Sequence, residues 1–108
     1  MTVENLEPED VARRLAEGSV LLVDVREANE FALERIEGAL LVPLSTFDPQ
    51  ALPDPEGRKM VFQCRSGARS TTAAVRCLDA GLACGSHMRG GILAWKAAGL
   101  PTLAGEPA

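Results

Sequence analysis

The stretch KMVFQCRSGARS, residues 59–70, decides the fold of this chain. Its first five residues form a short apolar run, which is typical of a strand buried on both faces of a parallel sheet. Cys64 follows at once, and a helical pattern extends from about Ser70 to Ala80, just before Gly81. Ligands of open α/β sheets bind beyond the carboxyl ends of strands. The order strand, loop, helix therefore places Cys64 where a functional site is expected.

Strand-like and helix-like segments alternate on both sides of this stretch. Further strands are predicted at residues 20–23, 39–42 and 83–88, and further helices at 8–17, 27–33 and 92–98. Residues 102–108 are predicted to form a loose tail. This alternation predicts a mostly parallel α/β sandwich.

The composition limits the classes of function. A chain of 108 residues with 46% hydrophobic and 24% charged residues is expected to form one globular domain spanning 1–108. Its net charge of −4 and its four scattered aromatic residues argue against a nucleic-acid partner. Its apolar runs are far shorter than the roughly 20 residues that cross a membrane, so no membrane partner is expected.

The net charge hides a local asymmetry around Cys64. Residues 57–78 contain five basic residues and no acidic one. The rest of the chain therefore carries six basic and fifteen acidic residues, a balance of −9. The one cationic stretch of an acidic protein thus encloses a cysteine.

The loop after the strand has the features of an anion-binding nest. Gly67 permits a tight turn in which successive backbone N–H groups converge. The following helix adds its positive N-terminal pole, and Arg65 and Arg69 add full charges. These groups favour a thiolate, so we expect Cys64 to have a lowered pKa and to act as the catalytic nucleophile.

Two charged residues follow the strand predicted at 20–23. Asp24 and Arg26 come just after that strand, hence at the same edge of the sheet as Cys64. We expect both to support the site, with Asp24 paired to Arg26, to Arg69 or to N–H groups of the loop.

The other cysteines and the histidine are assigned no chemistry. Cys77 shares a helical face with small apolar residues, and we expect both it and Cys84 to pack in the core. With three cysteines and a single histidine, the sequence shows no metal-ligand spacing, and we expect no metal and no cofactor. The acidic first ten residues lack a secretory signal, which predicts a cytoplasmic protein with reduced thiols.

Over nearly its whole length the chain resembles single-domain rhodaneses. The resemblance is carried by VDVRE at 23–27, EF at 30–31, GA at 38–39 with Pro43, the 64–70 loop, GGILAW at 90–95 and AGLP at 98–101. It implies a rhodanese-like three-layer sandwich, with a mostly parallel five-stranded sheet flanked by helices.

The resemblance also implies a sulfurtransferase activity. Cys64 would take sulfane sulfur from an anionic donor such as thiosulfate and carry it as a persulfide to cyanide or a thiol, with a protein as another acceptor. The substrate-binding residues would be those of the loop: Arg65, Ser66, Gly67, Ala68, Arg69 and Ser70. The chain departs from the family pattern at Glu34 and Arg35, where relatives often have Gly-His.

Three alternative functions stay open. Phosphatases and arsenate reductases of related fold also use a cysteine in an anion loop, but with five residues between cysteine and arginine. Here four residues separate Cys64 from Arg69, and this tighter nest fits a sulfur atom better than a phosphoryl group. A regulatory docking module without turnover and a persulfide carrier for a partner enzyme are the other two.

Overall fold

The computed structural model describes residues 2–105. A five-stranded, fully parallel sheet has the order β1-β6-β5-β2-β4, and β3 and β7 form a separate antiparallel pair. The elements in chain order are β1 (Glu4–Leu6), α1 (Pro8–Glu17), β2 (Val20–Asp24), α2 (Ala28–Leu33), β3 (Glu34–Arg35), β4 (Leu40–Leu41), β5 (Lys59–Gln63), α3 (Ala68–Asp79), β6 (Ser86–Met88), α4 (Gly91–Ala97) and β7 (Leu103–Ala104).

The sheet lies between two apolar layers. Every residue of β2 is buried, as its unbroken apolar run predicts, and alternate residues face opposite sides. Leu21 and Val23 join a cluster that includes Ala73 and Cys77 of α3, whereas Leu22 joins one formed with α1 and α4. The three-layer sandwich and its mostly parallel five-stranded sheet are therefore confirmed.

The central strand and the helix after it lie close to their predicted positions. Strand β5 spans residues 59–63 as predicted, but α3 begins at Ala68, two residues before the predicted start. Gly67 at the N-cap has φ +110°, and this left-handed turn brings the chain into the helix earlier than the apolar pattern indicates. The strand predicted at 83–88 is shorter, because only residues 86–88 pair in the sheet.

The first strand of the sheet has no clear sequence signal. Strand β1 pairs in parallel with β6, and the Lys59 ammonium (2.6 Å) and the Ser86 hydroxyl (2.7 Å) both donate to the Glu4 carboxylate. A three-residue strand with an acidic residue shows no apolar alternation, and its position depends on these distant partners. The prediction that began the fold with a helix at Pro8 therefore missed it.

The chain end and residues 34–35 form a pairing that the sequence did not predict. Residues 103–104 are not part of a loose tail, because they pair with Glu34 and Arg35 in an antiparallel ribbon. Lys96 and Thr102 donate to the Glu34 carboxylate at 2.8 and 2.6 Å, and Arg35 donates to the Gly105 carbonyl at 2.7 Å. Residues 34 and 35 therefore hold the C-terminal segment to the domain. The rest of the predicted tail, residues 106–108, lies outside the described residues.

Candidate active site

The Cys64 loop joins the carboxyl end of β5 to the start of α3, at the center of the sheet. The side chain of Cys64 is only 1% exposed, and Gly67 and Ser70 are buried beside it. Arg65 and Ser66 face solvent. The loop thus presents a cationic outer surface above a buried sulfur atom.

Two N–H donors and one hydroxyl group of the loop converge on the sulfur. The Gly67 N–H lies 3.1 Å from Cys64 Sγ, the Ser70 N–H lies at 3.3 Å, and the Ser70 hydroxyl oxygen lies at 3.5 Å. Because Sγ stands at the first turn of α3, the positive pole of the helix acts on it as well. Here the nest expected from the sequence surrounds the sulfur itself.

These donors determine the ionisation of Cys64. Burial raises the pKa of the Cys64 thiol, since a thiolate loses hydration inside the protein. The Ser70 hydroxyl and the N–H groups of Ser70, Gly67 and Ser66 act in the opposite direction, and together they bring the pKa below its ordinary value. The loop therefore favours the nucleophilic form of the cysteine.

The N-terminus of α4 binds the Cys64 loop through backbone hydrogen bonds. The Ile92 N–H donates to the Cys64 carbonyl at 2.8 Å, and the Leu93 N–H donates to the Arg65 carbonyl at 3.1 Å. A Cβ atom on Gly91 would lie within 2.6 Å of both of these carbonyl oxygens, so only glycine allows this approach. The loop carbonyls thus point toward α4, while the loop N–H groups point toward sulfur.

Arg69 is bound to an acidic residue that the sequence reading did not assign to the site. Its guanidinium donates to Glu30 at 2.7 and 2.9 Å, and this partly buried pair lowers the pKa of Glu30 to about 2. Glu30 belongs to the EF motif at residues 30–31, which was the only signal in the sequence that could have identified it. The expected free charge of Arg69 is therefore balanced by a carboxylate.

Asp24 and Arg26 pair with each other, which was one of the three expected arrangements. The Arg26 guanidinium donates to Asp24 at 2.7 Å and to the Glu34 carbonyl at 2.7 Å, and both side chains are buried. Within residues 2–105, no hydrogen bond joins either side chain to the 64–70 loop. The pair stands at the same sheet edge as Cys64, because Asp24 is in register with Gln63.

The two other thiols lie in the core. Cys77 and Cys84 are buried in the cluster between β5 and α3, as expected. Burial, and then the neighbouring Cys84, raise the pKa of Cys77, so its thiol stays protonated. Among residues 2–105 no group of histidine, cysteine and carboxylate side chains has the arrangement of a metal site, and no helix there is long and apolar enough to cross a membrane.

Comparison with known proteins gives consistent matches. The model of the rhodanese-like domain matches residues 7–98. An uncharacterized protein of Synechocystis is 43% identical over 96 residues, which make up 89% of this chain and 54% of that protein. A protein of Allochromatium vinosum named sulfurtransferase is 38% identical over 105 residues, covering 96% of this chain and 98% of that protein.

A solved structure agrees with these sequence matches. The crystal structure of thiosulfate sulfurtransferase from Pseudomonas aeruginosa superposes with a TM-score of 0.79 at 29% identity, over 96% of this chain and 20% of that one. The chain thus spans about half of the Synechocystis protein, a fifth of the Pseudomonas chain and nearly all of the Allochromatium sulfurtransferase. By its sequence over residues 7–98 and by its fold, the chain belongs to the rhodanese-like family, a family of sulfurtransferases.

Proposed function

We propose that the protein is a sulfurtransferase that carries sulfane sulfur on Cys64, with a small anion such as thiosulfate as the donor. One observation carries the proposal: three polar groups of the loop converge on Sγ at 3.1 to 3.5 Å. This arrangement stabilises negative charge on sulfur, both in the thiolate and in a persulfide.

The first half-reaction follows from this geometry. The Cys64 thiolate attacks the outer sulfur of thiosulfate, and a bond forms between the two sulfur atoms. The S–S bond of thiosulfate breaks, and its electron pair leaves with sulfite. The product is a Cys64 persulfide anion, which the same N–H groups stabilise.

The second half-reaction restores the enzyme. Cyanide or a thiolate attacks the terminal sulfur of the persulfide, and the bond between the two sulfur atoms breaks with its electron pair returning to Cys64. The products are thiocyanate, or the persulfide of the acceptor, and the free thiolate. Ping-pong kinetics are expected because the first product leaves before the acceptor reacts.

The charges near the loop support an anionic donor of small size. Arg65 is exposed next to Cys64, and the N-terminus of α3 adds its positive pole. Because Cys64 is almost fully buried, a donor reaches it only with a small protruding atom. The outer sulfur of thiosulfate has this form, whereas a tetrahedral phosphoryl center bound to an aryl group does not.

Mass spectrometry after incubation with thiosulfate tests the proposal. The intact protein is expected to gain one sulfur atom, which maps to Cys64 and disappears on addition of cyanide. Cys64→Ser is the matched control, because it keeps Cys77 and Cys84 in place. Absence of the added sulfur, or an equal gain in Cys64→Ser, would contradict the proposal.

Measurements of repeated turnover distinguish a sulfurtransferase from a persulfide carrier and from a phosphatase. With glutathione as the acceptor, an independent sulfurtransferase forms glutathione persulfide repeatedly, whereas a carrier that requires a partner enzyme keeps its persulfide. Hydrolysis of p-nitrophenyl phosphate that depends on Cys64, without any persulfide, would instead support a phosphatase.

A further inference from the structure

The imidazole of His87 lies next to the Cys64 loop. His87 is the only histidine of the chain, and it is 5% exposed in β6, in register with Phe62 of β5. Its Nδ1 atom lies 2.9 Å from the Ser70 hydroxyl oxygen, which in turn lies 3.5 Å from Cys64 Sγ. One hydroxyl group therefore connects the histidine to the sulfur atom.

The hydroxyl of Ser70 has one hydrogen and three polar neighbours. The Gly67 carbonyl oxygen, 3.2 Å away, can only accept a hydrogen bond. The sulfur of Cys64, when it is a thiolate, can likewise only accept one. If Nδ1 of His87 also accepted, three acceptors would compete for a single hydrogen. With a hydrogen on Nδ1 the imidazole donates to the hydroxyl oxygen instead, and only the Gly67 carbonyl and the sulfur then compete for the hydroxyl hydrogen.

The other side of the imidazole fits this arrangement once the side-chain amide of Asn5 is rotated. As placed, Oδ1 of Asn5 lies 2.6 Å from Nε2 and can only accept a hydrogen from it, and Thr71 Oγ1 lies 3.5 Å from the same nitrogen. A half-turn of the Asn5 amide exchanges its oxygen for its nitrogen, which then donates to a bare Nε2. Asn5 can thus hold His87 with the hydrogen on Nδ1.

The charges around His87 favour its neutral form. Burial, and then the positive charge of Arg89, lower the pKa of His87. The neighbours that contact the ring from β1 and α3, namely Asn5, Ser70 and Thr71, are uncharged. On the sulfur side, the positive charges are those of Arg65 and of Arg69, and the latter is paired with Glu30.

We propose that His87 is a positioning residue for Cys64: its Nδ1–H donates to Ser70, which turns the Ser70 hydroxyl hydrogen toward the sulfur and stabilises the thiolate. The inference builds on the proposed function, since it concerns the same nucleophile. It adds a residue that does not contact the substrate and that acts only through Ser70.

Nitrogen-15 NMR of the unmodified protein tests the position of the hydrogen directly. The chain contains one histidine, so a tag-free sample gives one pair of imidazole nitrogen signals. At a pH where Cys64 is a thiolate, Nδ1 is expected to carry a hydrogen. A bare Nδ1 with the hydrogen on Nε2 would overturn the proposal.

Variants test whether the effect reaches the sulfur. The rate of alkylation of Cys64 by iodoacetamide, followed by peptide mass spectrometry across pH, reports the pKa of its thiol. His87→Leu is expected to raise that pKa by about one unit, the effect of losing a hydrogen bond to a charged group. His87→Asn, whose amide N–H can take the place of Nδ1–H, is expected to restore most of the shift.

The same pKa measurement in a Ser70→Ala background tests whether His87 acts on Cys64 through Ser70. Ser70→Ala alone is expected to raise the pKa of Cys64, and adding His87→Leu is expected to raise it no further. An equal shift from His87→Leu in both backgrounds would contradict action through Ser70. Should His87→Leu fail to fold, the NMR result and the His87→Asn profile still decide the question.

These measurements use no sulfur donor, so they are independent of the proposed reaction. A protein that shows the shifts but forms no persulfide would contradict the proposed function and support the role of His87. A protein that forms the persulfide, but in which His87→Leu leaves the pKa of Cys64 unchanged, would support the proposed function and contradict the role of His87.

Discussion

The guanidinium of Arg69 donates two hydrogen bonds to the carboxylate of Glu30, at 2.7 and 2.9 Å, across 39 residues of sequence. Such a bidentate pair holds both side chains in fixed directions. It also means that one of the two arginines of the Cys64 loop already has an anionic partner. In contrast, Arg65 is exposed in the same loop.

The charge balance of this pair predicts an effect on donor binding. Arg69→Ala leaves the Glu30 carboxylate unpaired near the loop, and we expect the KM for thiosulfate to rise about fivefold, equivalent to the roughly 1 kcal/mol of a charge near a protein surface. The double variant Arg69→Ala/Glu30→Gln removes the pair as a neutral unit, and its KM is expected to return toward the wild-type value. Steady-state kinetics measure both. If the double variant stays as impaired as Arg69→Ala, Arg69 contacts the donor directly.

The same pair predicts a dependence of stability on acid pH. The pKa of Glu30 is about 2 in the folded protein, below its ordinary 4.5, so the ionised carboxylate stabilises the fold. This contribution is complete above pH 4.5 and is lost as the pH falls toward 2. Urea unfolding is expected to show wild type about 1 kcal/mol more stable than Glu30→Gln near neutral pH. This difference in the free energy of unfolding is expected to vanish near pH 2. A difference that does not depend on pH would contradict this role of Glu30.

The buried pair of Asp24 and Arg26 predicts a larger effect on stability. Asp24→Ala leaves the Arg26 guanidinium buried without its carboxylate partner, which is expected to lower the free energy of unfolding by about 3–5 kcal/mol. Chemical denaturation measures the change. The control is Asp79→Ala at the exposed end of α3, where a change within about 0.5 kcal/mol is expected. Equal losses of unfolding free energy in the two variants would show that the buried Asp24–Arg26 pair does not stabilise the fold more than an exposed carboxylate does.

Close packing of Gly91 against the loop predicts an effect on Cys64. Gly91 has φ +62°, and an added Cβ would lie 2.6 Å from the carbonyl carbon and oxygen of Arg65. Gly91→Ala is expected to cost about 2–4 kcal/mol of stability and to slow alkylation of Cys64. Gly99→Ala is the matched control, because Gly99 has a similar φ of +79° with open space around it. It is expected to cost about 1–2 kcal/mol without changing Cys64. Unchanged Cys64 reactivity in Gly91→Ala would contradict the packing argument.

Local patterns predicted the center of the fold and the position of Cys64 in it. The apolar run at 59–63 and the glycine at position 67 are neighbours in sequence, so the strand, the loop and the position of Cys64 at the sheet edge could be read together. The apolar run at 20–23 likewise identified the strand next to it. In each case the signal and the structure lie within a few residues of one another.

The features missed from the sequence depend on distant partners. Strand β1 pairs with β6 across 82 residues, and residues 34–35 are organised by the segment that includes Thr102 and Gly105. Neither pairing has an apolar period of its own. Ser70 and His87 are likewise 17 residues apart, so the contact between them appears only when β6 lies beside β5.

The bonds from α4 to the loop also have a consequence for synthesis of the protein. The N–H groups of Ile92 and Leu93 hold the carbonyls of Cys64 and Arg65, and His87 stands just before them. All three are translated after the cysteine. A nascent chain that ends before residue 92 therefore lacks the bonds that hold these two carbonyls, and they form only once α4 docks. The order of synthesis thus makes the contacts that fix the backbone of the Cys64 loop some of the later ones to form.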